Sequence, residues 1–158
     1  LGHYSEQIAP VLATYPVRFA INPSPQDGLV SSQRHGLAAL TGHSNAVLMA
    51  LADQPLIGVD DIVKLLAFWK IKRQLADVVF PQVNGQRGNP VVLSASARNQ
   101  ILAGGDQVGC RSWQRTNPAR TMPFINANHH YRVDLDTEDD IARLQRESGL
   151  SLCWPASW

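Results

Sequence analysis

Short apolar runs bounded by turn residues alternate with stretches of helical periodicity along almost the whole chain. That alternation is what a sheet covered by helices on both faces requires. The strongest run, Asn45 to Leu51, is near-continuously apolar and reads as a central parallel strand. A second spans Asp77 to Val83 and a third Pro90 to Leu93. Met122 to Asn126 and Tyr131 to Leu135 look extended, and VRFAIN at Val17 to Asn22 adds a short strand. Asn84-Gly85 is a strong turn dipeptide. It makes the region from Val79 to Leu93 a hairpin with one antiparallel strand.

The helices come from spacing and end signals. Gly58 to Lys72 places Ile62, Leu65, Leu66 and Trp69 three and four residues apart, with Asp60 and Asp61 in the first turn and Lys70, Lys72 and Arg73 at the end. Ser5 to Leu12 is a short helix with Ser5 as its cap. A helix capped by Ser31 or Ser32 runs to about Leu40, and another runs from Ser94 or Ser96 to Leu102, broken by Gly104-Gly105. Cys110 to Arg115 is a further short helix. Thr137 with Asp140 forms a capping-box variant opening a last helix to about Ser148. The tail LSLCWPASW is apolar, and its packing on the body or on a neighbour is expected. The fold class that follows is α/β, a three-layer Rossmann-like arrangement. Its sheet is mostly parallel with one antiparallel strand, in a single domain over 1–158.

Composition removes several function classes. With 14 Lys and Arg against 13 Asp and Glu, the net charge of +1 gives no reason to expect nucleic acid or membrane partners. No apolar run approaches the roughly 20 residues of a spanning helix. The start LGHYSEQIAP lacks the pattern of a secretory leader, so a cytoplasmic location is expected. Cys110 and Cys153 match no zinc spacing and read as isolated reduced thiols. The five histidines show no ligand spacing, and adjacent His129 and His130 would point to opposite sides of an extended chain.

Carboxylates mark the candidate site. Asp53 follows the AVLMALA run, where open α/β sheets bind ligands beyond the carboxyl ends of their strands. Pro55 restrains Gln54 and fixes how the chain leaves the sheet. A carboxylate there suits Mg²⁺ and a polyphosphate, although a plain turn aspartate fits equally well. In YRVDLDTEDD, Asp134 and Asp136 would share a face if the segment is extended. Glu138 to Asp140 are accounted for by the helix dipole, and Asp134 lies too far upstream for that. Asp53 and Asp134 together could hold one Mg²⁺. Ser31, Ser32 and Arg34 form an anion or base-edge site at a helix start, or only a capped surface helix. GQRGNP, Gly85 to Pro90, either lets a ligand approach, with Arg87 gripping a phosphate, or is a solvated tip. GGDQVGCR, with Asp106 and Arg111, is similar in kind.

Taken in order, NPSPQDGLVSSQRHGLAAL, LMALADQPLI, PQVNGQRGNPVVL, GGDQVGCR and VDLDTEDDIARL, after an opening LGHYSEQI, carry a resemblance to the MobA-like nucleotidyltransferases. The chain is most similar to the branch that makes cytosine dinucleotide cofactors. The resemblance implies Mg²⁺-dependent transfer of CMP from CTP to the terminal phosphate of molybdopterin, with release of pyrophosphate. Asp53 and Asp134 then match the metal-binding aspartates, and Ser31, Ser32 and Gly36 the nucleotide cradle. Arg87, Gly88, Asn89 and Pro90 match a loop facing the pterin, and Gln54 and Pro55 are further expected substrate-binding residues. Gly105, Asp106, Gly109 and Arg111 match a second substrate loop. Asn89 stands where the family usually has His, and Cys110 where it usually has a small residue.

The resemblance also implies a preceding strand, loop and helix of the type LAAGxSxRMGxxK, which this stretch does not contain. The expectations are that the domain is N-terminally incomplete, that a further segment or a second chain, as in a homo-oligomer, covers the open sheet, and that the 158 residues alone do not turn over NTP. Two other readings stand beside cytidylyl transfer. One is a relative that uses GTP or another phosphorylated acceptor. The other is a non-catalytic maturation factor that carries pterin cofactor to a molybdenum hydroxylase.

Overall fold

The computed structural model describes residues 1–151. The apolar tail, with Cys153, Trp154 and Trp158, lies outside the described residues. Among the described residues, five strands and six α-helices form a mixed α/β sheet covered on both faces. The strands are β1 (Ala46–Met49), β2 (Val78–Val83), β3 (Gln86–Arg87), β4 (Val91–Ser94) and β5 (Thr121–Ile125). The helices are α1 (Ser5–Leu12), α2 (Gly28–Ala39), α3 (Val59–Lys72), α4 (Ala95–Ala103), α5 (Cys110–Thr116) and α6 (Glu138–Ser148).

The sheet is mixed, as the sequence reading expects, but two strands and not one run against the rest, and three of the four pairings among the described residues are antiparallel. β2 pairs parallel with β5, while β4 lies between β1 and β2 and pairs antiparallel with both. Hence β1, β2 and β5 run one way and β4 runs the other. β3 is only the return arm of a hairpin whose turn, Asn84 (φ 50°) and Gly85 (φ 77°), has the two left-handed residues that the dipeptide announced. One strand is placed differently. β1 has β4 as its sole strand neighbour among the described residues, so it is an edge strand bonded antiparallel, not a central parallel one. Its four residues are accordingly only half-buried.

The pleat of β2 splits the core in two. Val78 and Phe80 face α2, α4 and α5 with Leu37, Leu93, Ile101 and Trp113. Val79 faces α3 with Leu65, Trp69 and Val92. This period-2 division is what a sheet buried on both faces must show. Of the α3 positions with helical spacing, Leu65 and Trp69 are buried while Leu66 is 36% exposed.

Two segments depart from expectation. Val17 to Asn22 is extended but builds no ladder. Its cross-chain backbone bonds among the described residues go to Leu1 alone, Asn22 N–H to Leu1 O at 2.8 Å and the Leu1 amino group to Ala20 O at 2.6 Å. Val17, Phe19 and Ile21 remain exposed. Tyr131 to Leu135 is not a strand either, because residues His129–Arg132 form a 3-10 turn. Asn128 starts that turn by accepting the His130 N–H with its side chain at 3.1 Å. Asp134 and Asp136 therefore do not share a strand face, and His129 and His130 do not point to opposite sides: their rings lie 5.0 Å apart.

Candidate active site

Because β1, β2 and β5 run in one direction, the loops after them gather at a single rim of the sheet. After β1 come Asp53, Gln54 and Pro55. After β2 comes the hairpin with Arg87, Gly88, Asn89 and Pro90. After β5 comes the segment leading through Tyr131 to Asp134. Backbone hydrogen bonds join these loops. Leu135 N–H donates to Asp53 O at 2.9 Å, and Asn89 N–H donates to Tyr131 O at 2.9 Å.

The first of these bonds answers the question raised by two acids lying 81 residues apart in sequence. It seats Asp134, the residue before Leu135, against the turn that carries Asp53. Asp53 is half-buried, and its Oδ1 is fully buried without a hydrogen-bond partner. Gln54 is 7% exposed, and its Oε1 is likewise buried and unpartnered. Two unpaired buried acceptors side by side are costly unless a cation or donor meets them. Asp134 is exposed and lines a cavity of about 320 Å³ with His129, His130, Arg143 and Glu147. Pro55 is exposed.

In the loop after β2, Gly88 and Pro90 are buried. A Cβ on Gly88 would lie 2.2 Å from Tyr131 O, so glycine is required for the two loops to meet. Arg87 stacks on Phe80, its Cζ 3.5 Å from the ring centroid, and donates to Gln114 Oε1 on α5. Arg87 is exposed to solvent along one side, and its partial desolvation, with the positive charge of Arg111, holds its pKa below the usual value. Half-buried Asn89 and exposed Arg111 complete this side of the rim.

The nucleotide-cradle expectation is changed in detail. α2 begins at Gly28 after Asp27, so Ser31 and Ser32 lie within it and cap nothing. Buried Asn22 ties both, accepting from Ser31 Oγ at 3.3 Å and donating to Ser32 Oγ at 3.0 Å. Arg34 is committed to carbonyls, donating to Ile101 O, Leu102 O at 3.1 Å and Val108 O at 3.2 Å. It thereby satisfies free carbonyls in the last turn of α4. Arg98 does the same for α2, donating to Leu37 O and Leu40 O, both at 2.9 Å. Nothing lies within 4 Å of a Cβ built on Gly36, so no close approach explains that glycine. Ser31, Arg34 and Asp106 do line a cavity of about 500 Å³ together with Ser24, Asp27 and His35.

A family model of the MobA-like NTP transferase domain matches residues 2–121. The chain belongs to that family. This MobA-like protein therefore sits in a nucleotidyltransferase family, and its fold has wide company among solved structures. It superposes on Rv0371c from Mycobacterium tuberculosis H37Rv with a TM-score of 0.69 at 15% identity, over 92% of this chain and 73% of that one. Rv0371c has also been solved in complex with manganese. It superposes on molybdopterin-guanine dinucleotide biosynthesis protein A from Archaeoglobus fulgidus with a TM-score of 0.63 at 14% identity, over 90% and 73% of the two chains. The 4-diphosphocytidyl-2C-methyl-D-erythritol synthase from Anaerococcus prevotii matches at 0.65 and 15%, over 90% and 74%. At such identities the likeness is one of fold. No curated protein matches the chain by sequence.

Sequence reasoning missed one polar cluster beside the MobA-like site. Asp61, 5% exposed, accepts from Gly58 N–H at 3.0 Å, from Asn128 Nδ2 at 2.7 Å, and lies 3.1 Å from His130 Nδ1. Burial works to raise its pKa, and the bonds from Gly58 and His130 outweigh that and leave it low. Tyr131 Oη donates to Asp61 O at 2.8 Å. The cluster fastens α3 to the loop that leads to Asp134. Its one sequence signal was the polar residue pair Asn128 and His130 beside an aromatic. Cys110 is buried, which pushes its thiol pKa up to about 11, and its Sγ sits 3.1 Å from Met49 Sδ. None of the helices among the described residues is long and apolar enough to cross a membrane.

Proposed function

We propose that the protein transfers CMP from CTP to the terminal phosphate of molybdopterin or its molybdenum form, yielding the cytosine dinucleotide cofactor and pyrophosphate. The observation that carries this reading is the bond from Leu135 N–H to Asp53 O, which joins the two acid-bearing segments at the ligand-binding rim. The ordered set of motifs, LADQP, GQRGNP and DLDTEDD above all, supports the pterin acceptor and the cytidine donor.

Mg²⁺ fits the residues present. Asp53 offers a buried carboxylate oxygen with no other partner, and Asp134, exposed on the segment bonded to the Asp53 turn, would supply the second carboxylate. When bound, the ion would neutralise charge developing on the departing pyrophosphate. Other residues of this chain would contact the two substrates. Ser31 and Asp106 would line the approach to the nucleotide, and Gln54 Oε1 would take a donor from a ligand. Arg87, Asn89 and Arg111 would meet the acceptor across the hairpin loop. An oxygen of the acceptor phosphate attacks the α-phosphorus of CTP, the bond from that phosphorus to the β-phosphate oxygen breaks, and a phosphoanhydride forms. No enzyme nucleophile is needed. The product cofactor would then pass to a molybdenum hydroxylase or its maturation factor.

The test is pyrophosphate release by the full-length protein given molybdopterin and each NTP in turn. CTP should support turnover, and Asp53→Asn should lower it by about a hundredfold or more while thermal melting stays unchanged. Near-normal turnover by that variant would overturn the metal assignment. Preference for GTP would overturn the choice of base.

A further inference from the structure

Two acids at the rim are used differently. Asp53 keeps a buried carboxylate oxygen without a partner, whereas both carboxylate oxygens of Asp61 are bonded within the chain. Asp61 stands in the first turn of α3, soon after the turn that carries Asp53. Capping that helix occupies one of its contacts, the bond from Gly58 N–H at 3.0 Å. The others reach across to the segment after β5. Oδ1 accepts from Asn128 Nδ2 at 2.7 Å, Oδ2 lies 3.1 Å from His130 Nδ1, and the main-chain oxygen accepts from Tyr131 Oη at 2.8 Å. The far end of the same segment is held at Asp53 O by Leu135 N–H. Asp134 lies between these two moorings, so they set its distance from Asp53.

We propose that Asp61 is a positioning residue, and that its bond to Asn128 sets the gap across which Asp53 and Asp134 would share one divalent cation. This rests on the transfer reading above, which makes those two acids the ligands, and adds what holds them at a common spacing. Mg²⁺ demands near-ideal geometry, so a ligand carried on a loop needs bonds that fix the loop without touching the ion. A buried carboxylate suits that task, because its hydrogen bonds are charge-assisted and water does not compete for them. Asn128 transmits the hold. Its Oδ1 accepts from His130 N–H and starts the turn, while its Nδ2 goes to Asp61. One side chain thus shapes the loop and ties it to α3.

The experiment titrates the full-length protein with Mn²⁺, which takes the same oxygen ligands as Mg²⁺, and follows the free ion by electron paramagnetic resonance. It is run well below each variant's melting midpoint, so that only folded protein is measured. Asp61→Asn sets one amide against another, and Asn128→Asp sets one carboxylate against another. Either change breaks the bond, and each leaves an oxygen for Gly58 N–H or His130 N–H, so the helix cap and the turn survive. Each should weaken Mn²⁺ binding about tenfold. The two alter charge in opposite senses, so charge alone cannot weaken both. The double variant D61N/N128D exchanges donor and acceptor, restores the bond and should recover the affinity. Asp53→Asn, which removes a ligand, should weaken binding further. A purely structural role would lower the melting midpoint of the single variants and leave their Mn²⁺ affinity as it was. That result, with affinity still lost in D53N, overturns the positioning role and leaves the transfer reading standing. A double variant as weak as the singles overturns it too. Unchanged Mn²⁺ affinity in D53N defeats the metal assignment, and the positioning role falls with it.

Discussion

The Asp77 carboxylate, 8% exposed, accepts from Ser94 Oγ at 2.7 Å and from Arg120 Nε at 2.8 Å. The Arg120 bond is the main reason its pKa sits below the usual carboxylate range, with burial opposing and Ser94 assisting. A group depressed in the folded state stabilises fully above its unfolded pKa, and the contribution is lost as pH falls through the folded value. Melts between pH 7 and pH 2 should therefore show stability dropping below about pH 4. Asp77→Ala should cost about 2 kcal/mol at pH 7 and remove part of that drop. An unchanged acid limb would show that Asp77 is not coupled to folding. Nothing near Asp77 in sequence announces this pair. Its partners lie 17 and 43 residues away and meet it only through the β2–β5 and β2–β4 registers. Asp53 was legible for the opposite reason, since an apolar run ended by a carboxylate is a local signal. Arg34 was misread because a guanidinium one turn into a helix looks the same whether it meets an anion or a neighbouring helix's carbonyls.

Among the elements, those with a strong local signal at each end were read well. α6 is the clearest case. Thr137 Oγ1 accepts from Asp140 N–H at 3.2 Å, Asp140 Oδ2 accepts from Thr137 N–H at 2.9 Å, and Gly149 closes the helix at φ 68°. Thr137→Ala should lower stability by about 1 kcal/mol, read as a shift in the urea midpoint. No shift would mean that α6 contributes nothing to the cooperative unit. α4 likewise starts at Ser94, whose Oγ accepts the Ala97 N–H at 3.0 Å. Elements whose identity depends on a distant partner were read less well. Val17 to Asn22 has the alternation of a strand, but alternation only offers a ladder and a neighbour must accept it. Tyr131 to Leu135 failed because Asn128 bends the chain first, and Tyr131 is drawn into the core to reach Asp61.

For the whole molecule, the mixed sheet followed from the alternation of strands and helices, while the edge position of β1 could not. Edge or centre is decided by which strands surround a run, and an apolar run carries no record of them. The difference is measurable by hydrogen exchange. Amides of Val78, Val79, Val92 and Leu93, all in fully buried positions, should exchange only on global unfolding. Amides of β1 that point away from β4 should exchange much sooner. Equal protection across β1 and β2 would show that a further partner covers that edge. The rim itself is fastened by main-chain atoms, Leu135 to Asp53 and Asn89 to Tyr131, with glycine at the tightest crossing. Main-chain fastenings are indifferent to which side chains are hung on them. Side chains on that frame can change without loosening it, and the chain and Rv0371c share one architecture at 15% identity.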